Sequence, residues 1–150
     1  MVAYSFKSRF VIPILVGLGD ITPGDGVFNV RGFQISTFCR KNLPLPKRQT
    51  IRANGKRRHA RPGEAIQLYT GMRTKQCRKI GESKCESVHK IEMDISWHAL
   101  YIEVDGRAVK GGGIHDFARQ DGFANGEDML QFWQEEHRGV SHFDGSLIKW

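Results

Sequence analysis

The sequence predicts a single domain of the α+β class, and three observations carry that expectation. Short runs of β-forming residues separated by turn signals fill the middle of the chain, and the apolar spacing changes to a helical period in the last third. The length of 150 residues is that of one domain around one hydrophobic core. A chain of this length buries about 68–70% of the surface that its unfolded form exposes, so it needs neither disulfides nor a structural metal to hold together.

The opening AYSFKSRF places Tyr4, Phe6 and Phe10 on alternate positions, which reads as a strand running into a turn of helix through Phe10, Ile14 and Leu15. Gly17 is expected to stop that helix. From Leu18 to Pro46 there are four glycines, three prolines and no helical period. Structureless loops beyond about 12–15 residues are uncommon inside compact domains, so 18–46 reads as an insertion, a lid or a flap. By alternation alone an equal reading is a pair of edge strands through Val27 to Val30 and Phe33 to Phe38.

Gln49 to Arg52 follows, then a basic turn from Ala53 to Arg61, and Pro62-Gly63 marks a turn before the strand-like AIQLYT. Cys77 to Ile80, Lys84 to Met93 and Leu100 to Val104 alternate or carry β-formers. Asp105-Gly106, between ALYIEV and RAVK, is the chemistry of a tight hairpin turn. Ile114, Phe117, Ala118 and Asp121 then fall at helical spacing. Asn125 and Asp128 form a capping pair for a second helix with Met129, Phe132 and Trp133 on one face, closed by His137 and Gly139. Ser146 to Trp150 reads as a closing strand, and no internal repeat is evident.

The charge is polarised. Residues 40 to 79 hold thirteen Lys or Arg against the single acid Glu64, a balance of +12, while the rest of the chain carries −5. A cluster with one acid against thirteen bases attracts polyanions and releases their condensed counterions on contact, so nucleic acid is the expected partner. The competing reading is a solvated face. No apolar run approaches the roughly 20 residues that span a bilayer. Lys7 and Arg9 stand where a signal peptide needs its apolar centre, so no membrane partner and a cytoplasmic location are expected.

Cys39, Cys77 and Cys85 make no C-x-x-C pair and read as free thiols. Cys77, Cys85, His89 and His59 can be written as a zinc set, but separations of eight, four and eighteen residues match no familiar finger, so neither metal nor cofactor is expected. Phosphate-cradling glycine motifs, a G-x-S-x-G elbow and an H-E-x-x-H helix are all missing, which removes support for nucleotide hydrolysis, serine hydrolases of that type and metalloproteases. What remains is KRQTIR at 47–52. In an extended conformation Arg48, Thr50 and Arg52 point one way and Lys47, Gln49 and Ile51 the other, whereas a bend lets Lys47 meet Thr50.

KRQTIR, the Pro62-Gly63 pair ahead of a strand ending LYTGMR, and ARQDGF followed by MLQFW together resemble the ASCH domain of the PUA-like superfamily. The resemblance covers most of the chain outside 18–46. Members of that family run from the first helix through a glycine almost directly into the K-x-x-T-x-R stretch, whereas Gly17 and Lys47 here stand thirty positions apart. The resemblance implies a small PUA-like β-barrel with flanking helices and a cleft that accepts RNA or a modified nucleoside. One branch, the bacterial acetylcytidine amidohydrolases, uses a lysine, a threonine three positions on and a later glutamate. By that likeness Lys47, Thr50 and Asp121 form a catalytic trio, with an acid one methylene shorter.

In the catalytic reading Thr50 attacks an amide carbonyl or orients a water, and Lys47 serves as base when deprotonated. In the other reading Lys47 and Arg48 contact phosphate and Asp121 neutralises Arg52. The nucleic-acid-binding set is then Lys47, Arg48, Arg52, Lys56, Arg57, Arg58, Arg61, Arg73 and Lys75. Tyr69, Trp97 and Phe123 are either base-stacking rings or core, with core the commoner fate of an aromatic. His98 and His115 have no evident partner and enter no site. Three functions stay open: RNA or nucleoside binding, amidohydrolysis of acetylcytidine, and a protein-interaction module using 18–46.

Overall fold

The structure is a computed structural model and describes residues 1–22, 29–36, 44–96 and 98–150. Strand β1 (Val2–Phe6) passes through a 3-10 turn at Ser8–Phe10 into helix α1 (Val11–Gly17). Pro13 sits in the first turn, where its missing N–H costs no helical hydrogen bond. Phe10, Val11, Ile14 and Leu15 are buried.

After α1 the chain makes its long excursion and then returns to the same helix. The Lys47 backbone N–H donates to the Pro13 carbonyl at 2.9 Å. A Cβ on Gly17 would lie 2.3 Å from the Lys47 carbonyl oxygen, so only glycine lets the two backbones touch. Within the excursion, β2 (Asn29–Val30) and β3 (Phe33–Gln34) form an antiparallel pair around Arg31 and Gly32, both at positive φ, as a two-residue type I′ turn requires. The hairpin alternative thus holds at Asn29–Val30 and Phe33–Gln34, while Ile35 and Ser36 lie outside the strand. Val27, Phe28, Thr37 and Phe38 lie outside the described residues. Two residues of the excursion, Ile21 and Ile35, are each only 3% exposed and belong to the main core.

From Lys47 onward come β4 (Gln49–Ala53), β5 (Ala65–Thr70), β6 (Arg78–Lys84), β7 (Ser87–Asp94), β8 (Tyr101–Val104) and β9 (Arg107–Ala108). Helices α2 (Gly113–Gln120) and α3 (Gly126–Glu136) precede β10 (His142–Lys149). Asn125 caps α3 by accepting from the Asp128 N–H at 2.9 Å. Asp105 and Gly106 both adopt positive φ in the β8–β9 turn.

The molecule is α+β, with the described strands in three sheets. One is three-stranded in the order β1-β5-β6, one five-stranded in the order β4-β10-β7-β8-β9, and the third is the β2-β3 pair. None closes into a barrel. Parallel pairing of β1 with β5 sets Tyr4 opposite Leu68. Strand β10 is the spine of the larger sheet, pairing antiparallel with β7 along its full length and with β4 from Gly145 to Lys149. Ile66, Leu68 and Ile80 from the smaller sheet share one core with Ile91, Met93, Ile102, Leu147 and Ile148 from the larger and with Met129 and Trp133 of α3. No helix among the described residues is long and apolar enough to cross a membrane.

Candidate functional site

KRQTIR begins just before β4 and is fastened at both flanks. Lys47 is held to α1 through Pro13, while Arg48 donates its backbone N–H to the Gln120 carbonyl at 3.1 Å and accepts from the Trp150 N–H at 3.0 Å. Helix α2 ends at Asp121, and Gly122 at φ +89 turns the chain away. A Cβ on Gly122 would stand 2.9 Å from Lys47 Cδ and 3.0 Å from the Phe10 ring, so this glycine also makes room for the lysine stem. The bend before β4 and the end of α2 therefore bring residues 47 and 121 together.

Lys47 Nζ donates to Asp121 Oδ1 at 2.8 Å and to the Asp121 main-chain carbonyl. It lies 4.7 Å from the centre of the Phe10 ring and 5.7 Å from that of Phe6. The side chains are 3% and 6% exposed. Loss of hydration pulls the Lys47 amine below the ordinary lysine value and pushes the Asp121 carboxyl above the ordinary aspartate value, and their mutual attraction opposes both shifts. Burial is the largest effect on each group, lowering the amine and raising the acid.

Arg52, two residues beyond Thr50, donates from Nη2 to the Ser5 carbonyl at 2.6 Å and covers the Phe6 and Tyr4 rings at 4.9 and 5.5 Å. Its Nε is buried without a protein partner. Lys47, Thr50, Arg52 and Asp121 line one cavity of about 660 Å³ together with Ser5, Lys7, Phe6, Phe10, Phe123, Phe132, Trp133, His137 and Phe143. That volume lies within the range of about 300–1,000 Å³ common for small-molecule sites, and the mix of aromatic walls with a few convergent polar groups is typical of them.

The nine cationic residues proposed from sequence are not all brought together. Lys47 and Arg52 line the cavity. Arg73 and Lys75 are exposed and alternate along the chain with the lining residues Met72, Thr74 and Gln76. Arg48, Lys56, Arg57, Arg58 and Arg61 are exposed and outside the lining, and Arg58 is engaged by Glu64 at 2.7 and 2.8 Å. The trio Lys47, Thr50 and Asp121 does share the cavity wall.

Among the described residues no three His, Cys, Asp or Glu side chains gather as a metal site, so Cys77, Cys85, His89 and His59 do not form the zinc set. Phe123 is a core residue that also lines the cavity, and the Tyr69 hydroxyl donates to Gln67 Oε1 at 3.2 Å. Trp97 lies outside the described residues. His98 is exposed, and His115 Nδ1 accepts from the Gly126 N–H at 3.2 Å. Sequence reasoning missed the wall formed by Phe6, Phe10, Trp133, His137 and Phe143. They come from three stretches, 6–10, 133–137 and 143, and nothing in the local spacing of each shows that the three meet.

Comparison of the chain with family models, with curated proteins and with solved structures found no match.

Proposed function

We propose that this chain is an ASCH-type, PUA-like domain whose cavity takes a nucleoside, free or at an accessible position in RNA. The observation that supports the reading is the buried Lys47–Asp121 pair in the wall of an aromatic-lined cavity of about 660 Å³. Stacking on such rings contributes about 1–3 kcal/mol per base, and amide, carbonyl or phosphate groups on the ligand find donors in Lys47, Arg52 and Lys7. Exposed Arg73 and Lys75 add positive charge beside the 71–76 lining segment, where flanking phosphates of an RNA strand would lie.

A second reading, amidohydrolysis of an N-acylated base such as acetylcytidine, is favoured by the direction in which burial moves the Lys47 amine. A neutral amine accepts the Thr50 hydroxyl proton as Thr50 Oγ1 attacks the acyl carbonyl carbon. The protonated Asp121 donates to the leaving amine, and water then hydrolyses the acyl-threonine to release the carboxylic acid.

Binding is tested by titrating the protein with cytidine, with acetylcytidine and with a short single-stranded RNA between about 50 and 200 mM salt. Saturable nucleoside binding, with RNA affinity falling as salt rises, is the expected result. Failure of both nucleosides and the RNA to bind overturns the proposal. Hydrolysis is tested by acetylcytidine turnover in wild type and folded Lys47→Ala protein, and equal rates would remove Lys47 from the reaction.

A further inference from the structure

Outside the cavity, strand β7 carries Ser87 and His89 two residues apart and hence on one face of the sheet. Pairing with β8 covers only Ile91 to Asp94 of β7, so Ser87 to Lys90 have β10 on one side and the Asp105-Gly106 turn on the other. The Asp105 carboxylate folds back onto this open stretch. Its Oδ1 accepts the Lys90 N–H at 2.9 Å, and its Oδ2 lies 2.6 Å from His89 Nδ1. On the far side of the ring, His89 Nε2 lies 2.9 Å from Ser87 Oγ.

The order of these contacts carries chemistry. A carboxylate only accepts, so Asp105 fixes the imidazole tautomer with its proton on Nδ1 and leaves the Nε2 lone pair facing the serine hydroxyl. His89 and the Lys90 N–H hold the Asp105 carboxyl below its ordinary value, which keeps it ionised for that task. A device that merely fastened the turn to β7 would be complete with Lys90 and His89. The contact from Nε2 to Ser87 goes beyond fastening, and the three groups stand in the order nucleophile, base and orienting acid. The site is reachable, with Ser87 half-buried and the side chains of His89 and Asp105 31% and 53% exposed.

We propose that Ser87, His89 and Asp105 form a second, surface acyl-transfer site that small carboxylic esters acylate at Ser87. It does not depend on the reading of the cavity. Ser87 Oγ forms a bond to the ester carbonyl carbon as its proton passes to His89 Nε2. The tetrahedral intermediate collapses with cleavage of the carbonyl–alkoxy bond, and the departing alcohol takes that proton. Water then attacks the acyl-serine, gives a proton to His89 Nε2, and the carboxylic acid leaves as Ser87 recovers its hydrogen.

The test uses 4-nitrophenyl acetate and the full chain, following nitrophenol release and mapping acetyl groups on acid-quenched protein. Acetyl-Ser87 is expected in wild type. The part of the rate that Ser87→Ala abolishes should fall at least about 100-fold in His89→Gln, within the range general-base assistance supplies. It should fall about tenfold or more in Asp105→Asn, whose amide can donate to Nδ1 and so reverse the tautomer. Nitrophenol release by Ser87→Ala at the wild-type rate overturns the proposal, as does acetylation of Ser83 or Ser146 as fast as Ser87. The last comparison is made within wild-type protein and stands even if a variant fails to fold.

Discussion

Two cation–carboxylate pairs in this molecule have nearly the same geometry and opposite surroundings. Lys47 and Asp121 meet at 2.8 Å with side chains 3% and 6% exposed, while Arg58 and Glu64 meet at 2.7 Å with side chains 54% and 17% exposed. At the cavity, burial outweighs the mutual attraction and draws both groups toward their neutral forms. At the surface water still solvates the charges. There Arg58, the Arg61 N–H and the chain's amino terminus pull Glu64 far below the ordinary glutamate value. The contrast shows that contact distance does not assign a role. Burial, not distance, separates the two pairs, and the sequence's most cationic stretch divides into Lys47 and Arg52, which line the cavity, and Arg48, Lys56, Arg57, Arg58 and Arg61, which are exposed outside it.

The largest break in this comparison is to remove one member of the buried pair. Asp121→Ala leaves the buried Lys47 amine with only the main-chain carbonyl of residue 121 as partner and should cost about 1–3 kcal/mol. Replacing both partners, as in Lys47→Met with Asp121→Leu, should cost less than Asp121→Ala alone, because neither variant side chain needs hydration. Urea denaturation at neutral pH measures both. A double variant as unstable as the sum of its two singles would mean that the buried pair is not coupled.

A second break uses glycines from the same two regions. Gly122 sits at φ +89 with Lys47 and Phe10 against the place a Cβ would take, whereas Gly55 in the basic stretch after β4 has nothing within 4 Å of that place. Gly122→Ala should therefore cost about 1–3 kcal/mol through strain and overpacking. It should also weaken nucleoside binding by displacing the lysine stem. Gly55→Ala should stay within about 0.5 kcal/mol of wild type. Thermal unfolding of the two variants side by side decides it, and equal melting temperatures would show that Gly122 makes no special room.

The two regions were not equally legible in the sequence. Local chemistry was readable where it acts over a few residues. The alternation of Tyr4 and Phe6, the Asp105-Gly106 turn and the Asn125 cap each correspond to an element of the structure. The first part of β10 escaped, because His142, Asp144 and Gly145 have no β-forming pattern and their strand is imposed by pairing with Ile91 to Asp94 of β7. The return of Lys47 to Pro13 across the 18–46 excursion also escaped, being set by backbone contact at Gly17. The basic stretch was visible as charge. Which of its members would be buried was not, since that depends on Phe6, Phe10 and Asp121 arriving from distant parts of the chain.

The smallest effect, and the one that sets the pairs apart by sign, is their response to acid. Glu64 has a folded-state pKa below its ordinary 4.5, so its stabilisation is complete above that value and is lost as pH falls toward the folded one. Asp121 has a folded-state pKa above its ordinary 3.8, so its contribution is complete below 3.8 and is lost as pH rises through the folded value. The stability difference between wild type and Glu64→Gln should therefore shrink on acidification below about pH 4.5. It should also shrink in about 1 M salt, where the Debye length falls to about 3 Å. Substituting Asp121→Asn should instead remove a destabilising term that grows as pH rises above 3.8, giving a difference of opposite slope. Urea midpoints from about pH 3 to 7 read both slopes. If the two slopes shared a sign, burial would not be what distinguishes the cavity carboxylate from the surface one.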